Sequence, residues 1–480
     1  MTNKTIRGYE VVIGLEVHAE LNTATKIYCS CKNSFGLEVN TQVCPICMGM
    51  PGTLPTLNEK VVEYAIKMGH ALNCGINRIC KQDRKNYFYP DLPKSYQISQ
   101  ADVPLCHDGY LDVVMGTEVK RIGIERIHIE EDAGKLLHSD KFDGSLVDFN
   151  RCGVPLIEIV SRPDMRSSDE AKAYLETIKS ILKYIDISDC KMQEGSIRCD
   201  VNVSVHKPGE PFGTRCEMKN VNSFSAVVRG IDYEANRQID ILEAGGTIAQ
   251  ETRRWNDAKG ESVSMRSKED AQDYRYFPEP DLLTIVVPQE KVDELKATLP
   301  ELPNAKIMRY ISDYSLTHAD AAMIVDVPEK SKYFEDCIDL GCSAPKLAAN
   351  WILGEISKVM NEGVDISSMN VTPKKLVKII NYISSGKIST ASGKIVFDAV
   401  MESGADVDSV IEEKSLAQVS DVSALEELAK KVISENEKSV QDYKNGKTNA
   451  LGYLVGQCMK ASKGKANPSM MKELVLKYLN

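Results

Sequence analysis

Val11-Val-Ile-Gly-Leu-Glu-Val-His-Ala-Glu-Leu21 sets Leu15, Val17, Ala19 and Leu21 on one face and Glu16, His18 and Glu20 on the other. A period of two marks a strand with one face in a core and one face polar. The same pattern recurs at Ile122–Glu130, Val154–Val160, Ile197–Val205 and Thr214–Lys219. Three stretches of helical period interrupt it: Asn58–Leu72, Ser168–Ile185 and Ser223–Glu243, the last closed by the C-cap pair Gly245-Gly246. Several strands followed by single helices, without regular βαβ alternation, predict an α+β domain built on an antiparallel sheet.

The remaining chain bounds this reading. At about 100–200 residues per domain, 480 residues suggest roughly two to four domains. With 42% apolar and 27% charged residues, sizeable cores are expected and wholesale disorder is excluded. No apolar run reaches the ~18 residues of a membrane span, and the start has no signal-like apolar stretch. Fourteen cysteines then point to reduced thiols and a metal in a cytoplasmic protein, not to a disulfide framework. After Pro300 and Pro303 the pattern turns helical, as in Leu347–Asn361 and Pro373–Ser384. We expect a catalytic domain over 1–295, a helical linker domain over 296–405 and a helical tail over 406–480. The net charge of −10 argues against a chain coated by nucleic acid. Yet Gln441–Asn480 carries seven Lys against two acids, so local RNA contact at that end is expected.

Cys29, Cys31, Cys44 and Cys47 form a C-x-C-x12-C-x2-C pattern. Two close pairs across a short loop are what a tetrahedral thiolate zinc site requires, and a closed shell of four thiolates makes that zinc structural. The other cysteines are scattered singly and read as small apolar core residues.

Chemistry is sought on the polar strand faces. Arg198, Asp200, Asn202 and Ser204 share one face of their strand, and Arg215, Glu217 and Lys219 share one face of theirs. Glu158 lies in Val154-Pro-Leu-Ile-Glu-Ile-Val160, where an unpaired buried carboxylate would be costly, so it needs a cation or a proton. Glu130-Glu131-Asp132 is a like-charge cluster that also favours a metal. Oxygen-rich sites with one His suit Mg²⁺, the partner of ATP phosphates. A metal-dependent phosphoryl-transfer site on the sheet follows as an expectation. Other machinery is missing. A Walker A loop ending at Gly446-Lys447-Thr448 would need Gly where Gln441 stands, and neither common cysteine nucleophile of glutaminases is present. Ammonia, if used, must come from elsewhere.

Longer motifs carry a family resemblance. They include Ile13-Gly-Leu-Glu-Val-His-Ala-Glu-Leu21, Lys85-Asn-Tyr-Phe-Tyr-Pro-Asp-Leu-Pro-Lys-Ser-Tyr-Gln-Ile98, His128-Ile-Glu-Glu-Asp-Ala-Gly-Lys135 and Asp148-Phe-Asn-Arg-Cys-Gly-Val-Pro-Leu-Ile-Glu-Ile159. Glu217-Met-Lys-Asn-Val-Asn-Ser-Phe224, Asp273-Tyr-Arg-Tyr-Phe-Pro278 and Gly452-Tyr-Leu-Val-Gly-Gln-Cys-Met-Lys460 extend them to the far end. Together they resemble the GatB/GatE family of tRNA-dependent amidotransferase subunits along the whole chain.

The resemblance implies ATP-dependent amidation of misacylated Glu-tRNA(Gln) or Asp-tRNA(Asn). Ammonia would be released by a partner amidase, the A component of the amidotransferase, and a small C component would complete the assembly. The resemblance also implies a catalytic fold similar to the glutamine synthetase type and a tail of the YqeY type that meets tRNA. Residue by residue, it implies Mg²⁺ ligands at Glu16, His18, Glu131, Glu158, Asp200 and Glu217, with Glu131 chosen over Glu130 by motif. Arg198, Arg215, Lys219, Arg253, Arg254, Arg266 and Arg275 become candidates for ATP or RNA contact. Tyr87-Phe88-Tyr89 and Tyr96 could stack on the terminal base of an acceptor end. The competing reading is a non-catalytic tRNA-binding scaffold, which would explain the basic tail but not the acids in phase on several strands.

Overall fold

A computed structural model describes residues 5–116, 118–138, 143–267, 273–417, 422–462, 466 and 468–479. The chain forms two compact units, Met1–Ala305 and Lys306–Asn480.

The first unit is organised by a 10-stranded sheet. Its main strands are β1 (Tyr9–Glu20), β2 (Cys106–Met115), β3 (Glu118–Glu131), β4 (Pro155–Ser161), β5 (Ile197–His206), β6 (Cys216–Lys219), β7 (Glu251–Asn256) and β8 (Glu261–Ser267). They lie in the order β8-β7-β6-β5-β1-β4-β3-β2, so the alternating opening stretch is a central strand flanked by β5 and β4. Its apolar face is sealed: Leu15 is 1% exposed, and Val17 and Ala19 are fully buried. Helices α1 (Glu59–Ala71), α2 (Ser168–Tyr184) and α3 (Phe224–Glu243) cover that face and join its core. Each starts where a side chain satisfies an orphan amide: Asn58 accepts from Lys60 N–H, Ser167 from Glu170 N–H and Ser223 from Ala226 N–H.

The domain is α+β as expected, with one departure from an antiparallel sheet. β6 and β7 pair in parallel, Glu217 opposite Thr252. The chain between them is α3, and a helical crossover returns a strand in the same direction where a hairpin would reverse it.

In the second unit helices follow one another, from His318–Val325 to Pro468–Leu479. Within it, residues from Leu425 to Leu479 form a core of their own, built on Leu425, Ala429, Leu454, Cys458, Met471 and Val475. Among the described residues no helix is long and apolar enough to cross a membrane.

Candidate metal and phosphate site on the sheet

Strand register assembles the polar face. Across β5, β1, β4 and β3, Arg198 lies opposite His18, His18 opposite Glu158, and Glu158 opposite His128. One step along, Asp200 lies opposite Glu16; on the next row Asn202 lies opposite Glu217, and Glu217 opposite Thr252. Two ligand groups result, His18 with Glu130 and Glu158, and Glu16 with Asp200 and Glu217; within each, the donor atoms lie within 4.8 Å of one another.

Strand parity sets Glu131 apart from these groups. Glu130 shares a face with His128, whereas Glu131 shares the opposite face with Ile127 and Ile129. On that side Glu131 pairs with the buried Lys94 ammonium and accepts Ile98 N–H at 2.9 Å. Adjacent residues of a strand cannot serve the same cluster. His128, the first residue of the 128–135 motif, lies beside the cluster instead: its Nε2 is 3.1 Å from Glu158 and 3.6 Å from Glu130.

The two groups differ in how their charge is balanced. Burial would push the Glu158 carboxyl up, but His128 and His18 outweigh it and hold the group well below the usual carboxylate range. Burial would likewise lower His128, yet Glu158 and Glu130 raise it to about 9. For Glu16 the balance is reversed: burial first, then repulsion from Glu158, Asp200 and Glu217, outweighs the Lys219 charge and pushes its carboxyl up. Asn202 donates to Glu16 at 3.0 Å, Thr252 donates to Glu217 at 2.7 Å, and Lys219 pairs with Glu217 at 2.9 Å and also with Asp200. Three buried polar atoms here, Glu20 Oε1, His128 Nδ1 and Arg198 Nε, have no hydrogen-bond partner among the described residues. Carboxylates gathered around the His18 imidazole, and a Glu16 carboxyl raised by its acidic neighbours, fit a hard divalent cation such as Mg²⁺.

A cleft of 530 Å³ opens onto this face, bordered by His18, Lys85, Tyr87, Glu130, Arg198 and Lys219. Lys85 comes from a separate strand, Asp83–Asn86, and its ammonium lies 4.8 Å over the Tyr274 ring. Arg198 is held against Asp132 at the cleft edge. Arg215 borders a neighbouring pocket of 260 Å³ that also contains Glu16 and Asn202. The other predicted cations part company. Arg253 is committed to an internal network, on Glu251, Ser262 and, at 3.6 Å, the buried Glu234; it does not face the cleft. Arg254 and Arg275 are exposed, and the Arg266 side chain lies outside the described residues. Of the aromatic block, Tyr87 and Tyr89 border the cleft, Phe88 is exposed, and Tyr96 stacks under Arg84 at 4.2 Å.

The four cysteines converge separately. Their sulfurs lie within 4.8 Å of one another, close to the ~3.8 Å spacing that a tetrahedron of ~2.3 Å zinc–sulfur bonds demands. Each pair is presented by a tight turn: Lys26 N–H bonds Cys31 O across one, and Met48 N–H bonds Cys44 O across the other. The hydrogen bond from Cys29, with the Lys26 charge as a smaller contribution, lowers the Cys47 thiol to about 5.

Similarity to known proteins decides the lineage. Residues 11–293 match the family model described as the GatB/GatE catalytic domain, and residues 332–479 match that of the GatB domain. The chain belongs to the GatB/GatE family. Relatives named as the B subunit of aspartyl/glutamyl-tRNA(Asn/Gln) amidotransferase are similar throughout. The one from Caldicellulosiruptor bescii is 56% identical over 98% of this chain and 99% of its own. Those from Thermoanaerobacter pseudethanolicus and Clostridium botulinum (strain Loch Maree) are 56% and 51% identical, at the same coverage of both chains. The catalytic GatB/GatE match spans the sheet unit that carries both carboxylate groups and the cysteines, and the GatB-domain match takes in the separate core at the end of the chain.

Proposed function

We propose that this chain is the subunit that activates the side-chain carboxyl of Glu on tRNA(Gln), or of Asp on tRNA(Asn), with ATP, and completes the amide with ammonia. The observation that carries the reading is the pairing of two acidic groups on one sheet face beside a cleft bordered by Lys85, Arg198 and Lys219. In the first step a carboxylate oxygen attacks the γ-phosphorus and ADP leaves; in the second, ammonia attacks the acyl phosphate, phosphate leaves, and a proton is released. His18, Glu130 and Glu158 would hold one Mg²⁺, and Glu16, Asp200 and Glu217 a second. Bound there, the cations neutralise phosphate charge in flight. Lys85, Arg198 and Lys219 orient anionic oxygens of the nucleotide and the acyl phosphate, with Tyr87 lining the same cleft.

The likeness of a metal-bearing sheet to the glutamine synthetase type belongs to this same reading. So do zinc in the cysteine knuckle, the 296–405 helical linker and the 406–480 tail as a tRNA contact. In support of the tail, it has its own core, and Lys444, Lys447 and Lys460 come from its helices and turns; Lys463 and Lys465 lie outside the described residues. Subunit naming among the relatives supports an assembly with other subunits, and a partner amidase and a small third component belong to the same reading. The test uses the assembled complex with its glutaminase inactivated. Glu-tRNA(Gln) should stimulate ATP hydrolysis, and ammonium should convert it to Gln-tRNA(Gln). Stimulation that survives loss of Glu158 and Asp200 would return the chain to a scaffold role.

A further inference from the structure

We propose that Lys26 is the buried counter-charge of the four-cysteine zinc site, an ammonium that balances the thiolate shell where no carboxylate can. The proposal rests on the reading that the cysteines hold zinc. Lys26 is fully buried, at 0% exposure, yet among the described residues no carboxylate lies within ion-pair distance of it. Lys94, the neighbouring buried lysine, follows the ordinary rule and pairs with Glu131. An ammonium taken out of water without a partner costs several kcal/mol, so burial of Lys26 demands a negative charge.

Sulfur supplies it. Lys26 Nζ donates to the Gln42 carbonyl at 2.7 Å and lies 3.8 Å from Cys47 Sγ. Cys47 Sγ also accepts Cys44 N–H at 3.2 Å. Four thiolates around a divalent ion leave a net charge of −2, a large load for a site whose Cys47 is buried. One ammonium at the edge of the shell halves that load and holds the sulfur lone pairs in place, as outer-shell groups do at metal sites. Gln42 lies in the loop between the two cysteine pairs, so the same lysine also fixes the distance between them.

A tether through the Gln42 carbonyl alone is the rival explanation, and charge separates the two. The full-length chain should be compared with Lys26→Met, which removes charge and donor, and Lys26→Gln, which retains a donor. Zinc per chain is measured by elemental analysis, zinc affinity by chelator competition, and thermal unfolding with and without zinc. We expect one zinc per wild-type chain and about 10- to 100-fold weaker affinity in both variants. Both should unfold earlier than wild type when zinc-loaded, and not when metal-free. Should Lys26→Met fail to fold, Lys26→Gln decides. Variants that hold zinc as tightly as wild type, or that lose stability equally with and without zinc, would overturn the proposal. A wild-type chain that takes up no zinc would instead overturn the cysteine site itself.

Discussion

Replacing Glu158 with Gln keeps the shape of the side chain and removes its charge, which makes it the sharpest probe of the sheet site. Glu158 is 8% exposed, with imidazole nitrogens at 3.1 Å from His128 and 3.6 Å from His18. At an effective dielectric of about 20, a carboxylate and an imidazolium 3.1 Å apart attract by about 5 kcal/mol. The fold need not lose that amount, because either imidazole sheds its proton when the partner charge goes and the cost of burying Glu158 disappears with it. The unfolding midpoint should therefore move little. Catalysis has no such escape. A cation bound beside an amide instead of a carboxylate stabilises transferring phosphate less, and a loss of about 4 kcal/mol corresponds to roughly a thousandfold in rate. The assay is amidation of Glu-tRNA(Gln) by the assembled complex with free ammonium and ATP. Glutamine hydrolysis on the partner amidase and the circular-dichroism melt serve as controls. Amidation within tenfold of wild type would refute the assignment.

Strand parity makes a paired prediction. Glu130→Gln should lower the amidation rate as Glu158→Gln does, with the melt little changed. Glu131→Gln should strand the buried Lys94 ammonium and cost about 3–5 kcal/mol of stability, read by denaturant unfolding. Cys44→Ser should remove zinc, measured by elemental analysis, and lower stability more than it lowers the specific activity of the folded fraction. Truncation near Ala405 should raise the KM for aminoacyl-tRNA and flatten its salt dependence, by roughly 0.7–0.9 in log–log slope for each phosphate that is no longer neutralised. Glutamine hydrolysis without tRNA should stay unchanged in the same truncated complex.

Much of the sheet was legible because a period of two is dictated by the pleat. Leu15, Val17 and Ala19 had to face the core, so Glu16 and His18 had to share the other face, and the same counting placed Asp200 and Glu217. That counting, applied to Ile127 and Ile129, would have grouped His128 with Glu130 and set Glu131 aside. Choosing by motif overrode parity and named the neighbour on the opposite face. Lys85 was not legible as a cleft residue, since it reaches the site from a strand of a different sheet and only tertiary packing brings it there. Arg253 misled for the opposite reason: a cation in a polar motif looks the same whether it faces phosphate or the buried Glu234. The parallel pairing of β6 and β7 depends on how α3 returns the chain, which neither strand's own residues encode.

The step proposed for this chain is phosphorylation of the aminoacyl carboxylate. It is tested most directly by trapping the acyl phosphate with hydroxylamine, in the assembled complex with its glutaminase inactivated and no ammonia supplied. ATP-dependent formation of the γ-hydroxamate of Glu on tRNA(Gln), or its Asp counterpart on tRNA(Asn), is expected, as is its disappearance in Glu158→Gln. No hydroxamate from the wild-type complex, or undiminished hydroxamate from the variant, would contradict it.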